Sequence, residues 1–240
     1  MPNKEIVIDP AFEGPPASAH GGYTCGLLSP YLPADAEITL RKPVRLGVAL
    51  GLEARDGGLA LYDGRTLVAE AVTTRLASRA PKPPTVAEAS AAGAAFPGFT
   101  SSGFPRCVVC GTERTDADAF RIFPGPLAAR DLLAAAWHPT GGALAGESIR
   151  PAHAWAALDC PAGWAAMWFG HVDGPIVLGR MAAWLEEPVA AHDAHVVVGW
   201  LEGVSGRKLY AGSALYSPSG ALQGFSRQTW IAIARTGVPG

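Results

Sequence analysis

We interpret the fold from one stretch of the sequence, Glu13-Gly14-Pro15-Pro16-Ala17-Ser18-Ala19-His20-Gly21-Gly22-Tyr23-Thr24-Cys25-Gly26-Leu27-Leu28. Gly21 and Gly22 directly follow His20 and open a short apolar segment, which suits the start of a helix. Without side chains there, an acyl carbonyl or a phosphate can approach the backbone N–H groups, helped by the helix dipole. We expect the helix to be short because Pro30 disfavours helical geometry in the residue before it. Taken alone, the same letters also fit a loop that precedes a helix.

Strand-like runs surround this predicted helix. Ile6-Val7-Ile8 precedes it, and four runs follow at 36–45, 48–55, 59–62 and 66–76. Asp56-Gly57-Gly58 and Asp63-Gly64-Arg65 lie between runs and are typical of hairpin turns. The first part of the chain is therefore predicted to be one antiparallel sheet wrapped on one helix.

A proline-rich segment then separates the two halves of the chain. Residues 79–84 are extended by composition, and Thr85 with Glu88 resembles a capping box for a helix that runs to Ala95. Residues 97–105 have loop composition. We therefore divide the chain into a first repeat (1–78), a linker (79–106) and a second repeat (107–240).

The second half repeats the pattern of the first. Residues 120–123 are a candidate first strand, and 128–137 are predicted to form an extra helix. Asp159-Cys160-Pro161 is predicted to open a second central helix over 162–169, with proline in its first turn. Four strand-like runs follow, with Ser217-Pro218-Ser219-Gly220 as the last turn; the runs span 176–187, 195–201, 208–216 and 222–234. The predicted fold class is α+β, a tandem (double) hotdog whose antiparallel sheet wraps around two central helices.

Composition excludes several classes of protein. Of 240 residues, 49% are apolar and 17% charged, so the chain should fold. The net charge is −2 with no basic run, which argues against a nucleic-acid partner or an anionic membrane surface. There is no secretory signal pattern, no apolar run of roughly 18 residues and no disulfide framework in four cysteines. We expect a soluble, cytoplasmic protein without a cofactor.

Several short motifs carry a resemblance to one enzyme family. Glu13-Gly14-Pro15-Pro16 with His20-Gly21-Gly22 resembles the helix entry of hotdog-fold acyl-CoA thioesterases. Leu158-Asp159 matches the acid at the second central helix of the double-hotdog acyl-CoA thioesterases. Gly212-Ser213-Ala214-Leu215-Tyr216 and Phe225-Ser226-Arg227-Gln228 resemble their closing hairpin. The resemblance implies hydrolysis of an acyl-CoA thioester with neither a metal nor a covalent intermediate. Each such chain is already a pseudo-dimer, so a further homodimer is compatible with it.

The resemblance also implies site residues. In double-hotdog thioesterases an Asp, a Ser or Thr, and a Gln orient the attacking water, and Asp159 and Gln228 match two of these positions. The hydroxyl partner is expected within 176–184, which contains no Ser or Thr; Arg180 lies about where it should be and becomes a substrate-binding candidate. At a helix start Asp159 would stay ionised and act as a base, or would be a plain N-cap.

The remaining candidates for the substrate site come from the first half. Gly21 and Gly22 are the predicted donors to the thioester carbonyl, and His20 is a further substrate-binding candidate. The single-hotdog relatives carry an acid further along this helix, but residues 26–30 contain none. Two functions stay open: a thioester hydrolase, or an acyl-CoA-binding protein without catalysis. A hotdog dehydratase would need a catalytic His with an acid on the partner helix, and that pair is not evident.

Cys107-Val108-Val109-Cys110 needs a separate explanation. The Cys-x-x-Cys spacing is half of a zinc knuckle, but tetrahedral zinc needs two more ligands. The other candidates, Cys25, Cys160, His138 and His153, form no second closely spaced pair. A thioredoxin-like redox site would need a βαβ context. We therefore expect Cys107 and Cys110 to be packing residues, with a bound metal as the weaker hypothesis.

Overall fold

The computed structural model of the chain describes residues 4–33, 35–101, 103–172, 174–186 and 188–233. Within these residues the helices are α1 (Gly21–Leu28), α2 (Val86–Gly93) and α3 (Pro151–Gly170). The strands are β1 (Lys4–Val7), β2 (Ala36–Leu40), β3 (Ala49–Arg55), β4 (Gly58–Asp63), β5 (Thr66–Thr73), β6 (Gly125–Pro126), β7 (Leu133–Trp137), β8 (Leu144–Ala145), β9 (Ser148–Ile149), β10 (Ile176–Leu185), β11 (Val189–Ala190), β12 (His195–Ser205), β13 (Lys208–Tyr216) and β14 (Leu222–Ala232).

Eleven of these strands form one antiparallel sheet in the order β1-β3-β4-β5-β2-β10-β14-β13-β12-β7-β6. The first five strands come from the first half of the chain and the other six from the second half. The halves join where β2 pairs with β10, with Thr39 opposite Arg180 and Ala36 opposite Ala183. Helices α1 and α3 pack against each other, and α3 lies on strands β12, β13, β10 and β14. The predicted tandem hotdog is confirmed.

The hairpins of the meander are where the sequence predicts them. Gly57 and Gly64 adopt positive φ angles of 77° and 57°, which glycine adopts without steric cost. The later strands also match, although the predicted ends at 187 and 234 lie outside the described residues. Thr85 and Glu88 form both bonds of a capping box at α2, which ends at Gly93 instead of Ala95.

Helix α1 starts at the predicted glycines, and His20 is its N-cap: the His20 Nδ1 accepts the Tyr23 N–H at 3.2 Å. A Cβ on Gly22 would lie 2.5 Å from the Asp159 Cβ, and a Cβ on Gly26 would lie 2.6 Å from the Ala152 Cα. Real Cβ atoms essentially never approach other atoms so closely. Glycines one turn apart therefore allow the backbones of α1 and α3 to approach each other.

The predicted helix at 128–137 is wrong. Residues 133–137 form strand β7, which pairs with β12, and Leu133, Ala134 and Ala135 are buried. The alanine-rich run favours a helix, but tertiary packing overrides this weak preference. Helix α2 covers the outer side of this region, where Ala89 and Ala92 join a cluster of buried apolar side chains.

The predicted strand at 120–123 is wrong as well. The Phe120 and Ile122 N–H groups donate to the carbonyls of Val108 and Val109, each at 2.9 Å, so this segment pairs irregularly with the Cys-x-x-Cys segment. Arg121 between them has a φ of 55°, which breaks an extended strand. Phe120 and Ile122 are buried, so the apolar character of this segment reflects its burial in the core and not a regular strand.

The second central helix starts earlier than predicted. Helix α3 begins at Pro151 and has 20 residues, with Pro161 in its interior. Pro161 is therefore not a first-turn proline as predicted, because Pro151 holds that position. Within the described residues, no helix is long and apolar enough to cross a membrane. The division of the chain at 78 and 106 stays a prediction.

Candidate active site

A cavity of about 540 Å³ opens beside the contact between α1 and α3. Its volume lies within the usual range for a small-molecule site. Exposed Arg41 and Lys42 also line it. Most of its wall is apolar and is formed by large side chains, among them Leu40, Trp164, Met167, Ile176, Leu178 and Trp230.

Asp159 lines this cavity from the middle of α3 and is only 2% exposed. Its Oδ2 accepts the Gly22 N–H at 2.6 Å, whereas its Oδ1 has no partner among the described residues. Burial raises the pKa of Asp159 to about 6, against the opposing effects of His20 and the Gly22 N–H. Eight helical residues precede Asp159, so it is neither an N-cap nor at the positive end of the α3 dipole. The predicted position of Asp159 at the start of its own helix is wrong; the helix N-terminus that Asp159 contacts is that of α1.

His20, Gly21 and Gly22 meet Asp159 across the helix contact. The His20 Nε2 lies 3.4 Å from the Asp159 Oδ2, and both side chains are buried. Burial lowers the pKa of His20, but nearby Cys107 and Asp159 outweigh that effect, so the net change is upward. The Gly22 N–H is occupied by Asp159. The Gly21 N–H has no acceptor within the described part of the chain, and Gly21 lines the cavity. Gly21 is thus the available donor of the pair.

Gln228 has a different environment from the one considered in the sequence analysis. It lies on β14, inside the sheet between β10 and β13, and is 3% exposed. Its Nε2 donates to the Leu158 carbonyl at 2.9 Å, and its Oε1 accepts the Trp230 Nε1–H at 2.9 Å. Gln228 is therefore bonded to the backbone of the residue before Asp159, and it is not among the residues that line the cavity.

Two hydroxyl groups were missed as candidates. The Ser213 Oγ donates to the Leu158 carbonyl and lies 2.8 Å from the Ser226 Oγ, which in turn accepts from Gln228 at 2.7 Å. Both serines are fully buried and pair across β13 and β14. The available signal was the spacing of Ser226 and Gln228, which places both side chains on the same face of β14, whereas the hydroxyl partner was expected in the strand after the helix.

Arg180 is not part of this assembly. It follows a bulge in β10, and its exposed side chain donates to the Thr39 Oγ1 at 3.1 Å and pairs with Glu37 at 3.2 Å. The neighbouring Leu178 and Gly179 line the cavity, whereas Arg180 does not. The structure brings His20, Gly21, Gly22 and Asp159 together but leaves Arg180 with the first repeat's strand β2.

The Cys-x-x-Cys segment also reaches this region. The Cys107 Sγ lies 3.7 Å from the Cys160 Sγ, and Cys160 lies 3.3 Å from the His20 Nε2. The Trp164 Nε1–H donates to the Cys110 Sγ at 3.3 Å. Hydrogen bonds from Cys110 and Cys160 hold the pKa of Cys107 well below its usual value. The expectation that these cysteines only fill space is therefore incomplete. Cys160 lies 53 residues after Cys107, so their sequence spacing did not indicate this contact.

No protein-family model and no curated protein matches the sequence. Solved structures do match. A candidate thioesterase II from Thermobifida fusca has a TM-score of 0.65 and 12% identity, covering 98% of this chain and 93% of its own. Acyl-CoA thioesterase II from Mycobacterium marinum has a TM-score of 0.55 and 12% identity, covering 93% and 92%. A hot dog fold protein of unknown function from Alicyclobacillus acidocaldarius has a TM-score of 0.55 and 11% identity, covering 98% and 93%.

These three chains share their overall architecture with this protein along almost their whole lengths. The resemblance noted in the sequence is thereby confirmed at the level of the fold: this chain is a tandem hotdog protein, built like these structures.

Proposed function

We propose that this protein hydrolyses an acyl thioester, with acyl-CoA as the substrate class, in the cavity beside Asp159. One observation carries the proposal: a buried carboxylate lines an apolar cavity, with one oxygen held by a helix N-terminus and the other without a partner among the residues that the structure describes. Such a carboxylate is oriented, and it keeps a lone pair for a proton. A cytoplasmic location and a further homodimer stay predictions.

The chemistry needs two groups from the two repeats. A water molecule gives a proton to the Asp159 Oδ1 while the oxygen of that water bonds to the thioester carbonyl carbon. The Gly21 N–H donates to the carbonyl oxygen, where negative charge develops. The C–S bond then breaks, and the departing thiolate takes the proton from Asp159, which restores the carboxylate. Gln228, Ser213 and Ser226 do not touch substrate in this scheme; they hold the Leu158 carbonyl and thereby position Asp159.

The cavity suits the two ends of such a substrate. Its aromatic and aliphatic wall, with Trp164, Met167 and Trp230, fits an apolar acyl or aryl group. Lys42 carries positive charge where the cavity meets solvent, which suits the phosphates of a CoA carrier, and the adjacent Arg41 is paired with Glu70. The thioesterase descriptions of two structural neighbours point to the same chemistry.

The test is release of free thiol from a panel of acyl-CoAs. Asp159→Asn keeps the size of the side chain and an acceptor for the Gly22 N–H, but it removes the base. We expect kcat to fall about 10²–10⁴-fold. Asp56→Asn, in an exposed turn, is the matched control and should retain activity. Thermal unfolding of both variants separates loss of the base from loss of the fold. Full activity of a folded Asp159→Asn protein contradicts the assignment of Asp159 as the base.

The second candidate function is acyl-CoA binding without catalysis. It is favoured by the commitment of the Gln228 amide to structural hydrogen bonds, and by the absence of Ser and Thr from 176–184. Acyl-CoA that binds tightly and is recovered unchanged supports this function, whereas rapid turnover excludes it.

A further inference from the structure

Three thiols and one imidazole converge at one end of the contact between α1 and α3. Cys107 and Cys110 come from the turn after the linker, Cys160 from α3, and His20 from the N-cap of α1. The ligand atoms of His20, Cys107 and Cys160 all lie within 4.8 Å of one another. Each of the four residues is at least 91% buried, and the cysteines are free. Burying so many polarisable donors together calls for an explanation beyond packing.

The Cys-x-x-Cys turn is built to present both sulfurs to the same side. The Gly111 N–H donates to the Cys107 carbonyl at 2.8 Å, which closes the turn. A Cβ on Gly111 would lie 2.5 Å from the carbonyl oxygens of Cys107 and Pro105, so glycine is required there. The Cys110 sulfur accepts the Trp164 Nε1–H at 3.3 Å, and Trp164 lies one turn after Cys160 on α3.

Two spacings within the cluster are close to those of a tetrahedral metal site. Zinc–sulfur bonds of about 2.3 Å in a tetrahedron place neighbouring sulfurs about 3.8 Å apart. The Cys107 and Cys160 sulfurs are 3.7 Å apart, and the His20 Nε2 is 3.3 Å from the Cys160 sulfur. Three thiolates with one imidazole form one of the standard structural zinc sets, and soft sulfur ligands select zinc over magnesium or calcium.

We propose that Cys107, Cys110, Cys160 and His20 bind one zinc ion, which joins the Cys-x-x-Cys turn to α1 and α3 beside the cavity. In the structure, the His20 Nδ1 accepts the Tyr23 N–H at 3.2 Å. A neutral imidazole that binds metal through Nε2 carries its proton on Nδ1. Metal binding therefore gives up this one long cap bond in exchange for coordination. The ion would fix His20, and through it the neighbouring Gly21 N–H.

The first experiment measures the metal directly. Protein purified without chelator should hold one zinc per chain, and X-ray absorption should show three sulfurs at about 2.3 Å and one nitrogen at about 2.0–2.1 Å. Replacement of zinc with Co²⁺ should give the visible absorption of a tetrahedral thiolate site. Less than about a tenth of an equivalent, both as purified and after the reduced protein is incubated with Zn²⁺, would overturn the proposal. A Cys107–Cys110 disulfide in place of the metal would also overturn it, in favour of a redox pair.

The second experiment tests the ligands. Cys107→Ala, Cys110→Ala and Cys160→Ala should each weaken Zn²⁺ binding about 100-fold or more in competition with a chromophoric chelator. Cys25→Ala is the matched control, because Cys25 is equally buried in α1 but outside the cluster. If Cys25→Ala and Cys160→Ala lose the same amount of Zn²⁺ affinity, the assignment of Cys160 as a ligand is contradicted.

A further measurement on the unmodified chain covers the case in which the variants do not fold. Chelation should lower its unfolding temperature, and Zn²⁺ should restore it while Mg²⁺ does not; an unchanged temperature contradicts the site. Because metal content is measured without turnover, a metal-free protein that still hydrolyses thioesters overturns only the zinc site. A zinc-loaded protein that never releases thiol overturns only the hydrolase.

Discussion

Replacing Gly26 with alanine should destabilise the protein, although glycine is a poor helix former. A Cβ there would lie 2.6 Å from the Ala152 Cα and 2.7 Å from the Trp155 Cβ, whereas ordinary contact begins at 3.4 Å. The two helices would have to separate by the difference, about 0.8 Å. Overpacking of this kind costs roughly 1–3 kcal/mol, and alanine returns about 0.5–1 kcal/mol through its greater helix propensity. We expect a net loss of roughly 1–2 kcal/mol.

Thermal and urea unfolding of Gly26→Ala beside Gly51→Ala measures this loss. Gly51 lies in β3, where a Cβ meets nothing within 4 Å, so its alanine variant should be neutral or slightly more stable. In a domain of this size the Gly26 variant should melt roughly 2–8 °C lower. Thiol release should fall as well, because the displaced α1 carries Gly21 away from Asp159. If Gly26→Ala is as stable as Gly51→Ala, the close approach of the helices does not depend on glycine.

Two further predictions concern buried polar groups. Burial lowers the pKa of His153 and of His195 to about 4, so the folded state keeps both neutral while the unfolded state gains protons below pH 6.5. Each histidine should contribute a loss of stability between pH 6.5 and 4, roughly 1–2 kcal/mol once solvent screening is considered. Asp159 acts in the opposite direction over part of this range, because its raised pKa lets the folded state keep a proton. The histidine contribution is therefore measured as the difference in urea unfolding between the unmodified chain and His153→Gln; the same pH dependence in both proteins would contradict it. Gln228→Ala leaves the Leu158 carbonyl and the Trp230 N–H short of partners and should cost roughly 2–4 kcal/mol in urea unfolding. An unchanged urea midpoint for Gln228→Ala would contradict this cost and would show that water replaces the amide.

Local signals in the sequence predicted most of the framework. Turn glycines, a capping box and a histidine before two glycines act over a few residues, so their meaning survives without tertiary information. The alanine-rich strand β7 could not be identified in this way. Its side chains are small enough for either conformation, and pairing with β12 decides between them.

The candidate site was only half predictable for a related reason. His20, Gly21, Gly22 and Asp159 were chosen from short motifs, and the fold does bring them together. The convergence of Cys160 on Cys107 was invisible, because their sulfurs meet only when α3 packs on the Cys-x-x-Cys turn. Arg180 was predicted from its position along a strand. The bulge after Leu178 changes which side chains of β10 point to which face of the sheet, and Arg180 pairs with Glu37.

The pairing of β2 with β10 has a consequence for how this protein can vary. In a dimer of identical repeats, every substitution occurs on both sides of the junction, and dilution can separate the partners. Here the junction is intramolecular, so the chain itself sets the effective concentration of one half around the other, and dilution does not change it. Each half can also change alone. Glycines can be kept on α1 for close backbone approach while α3 alone of the two helices carries a carboxylate, an asymmetry that no pair of identical subunits could hold.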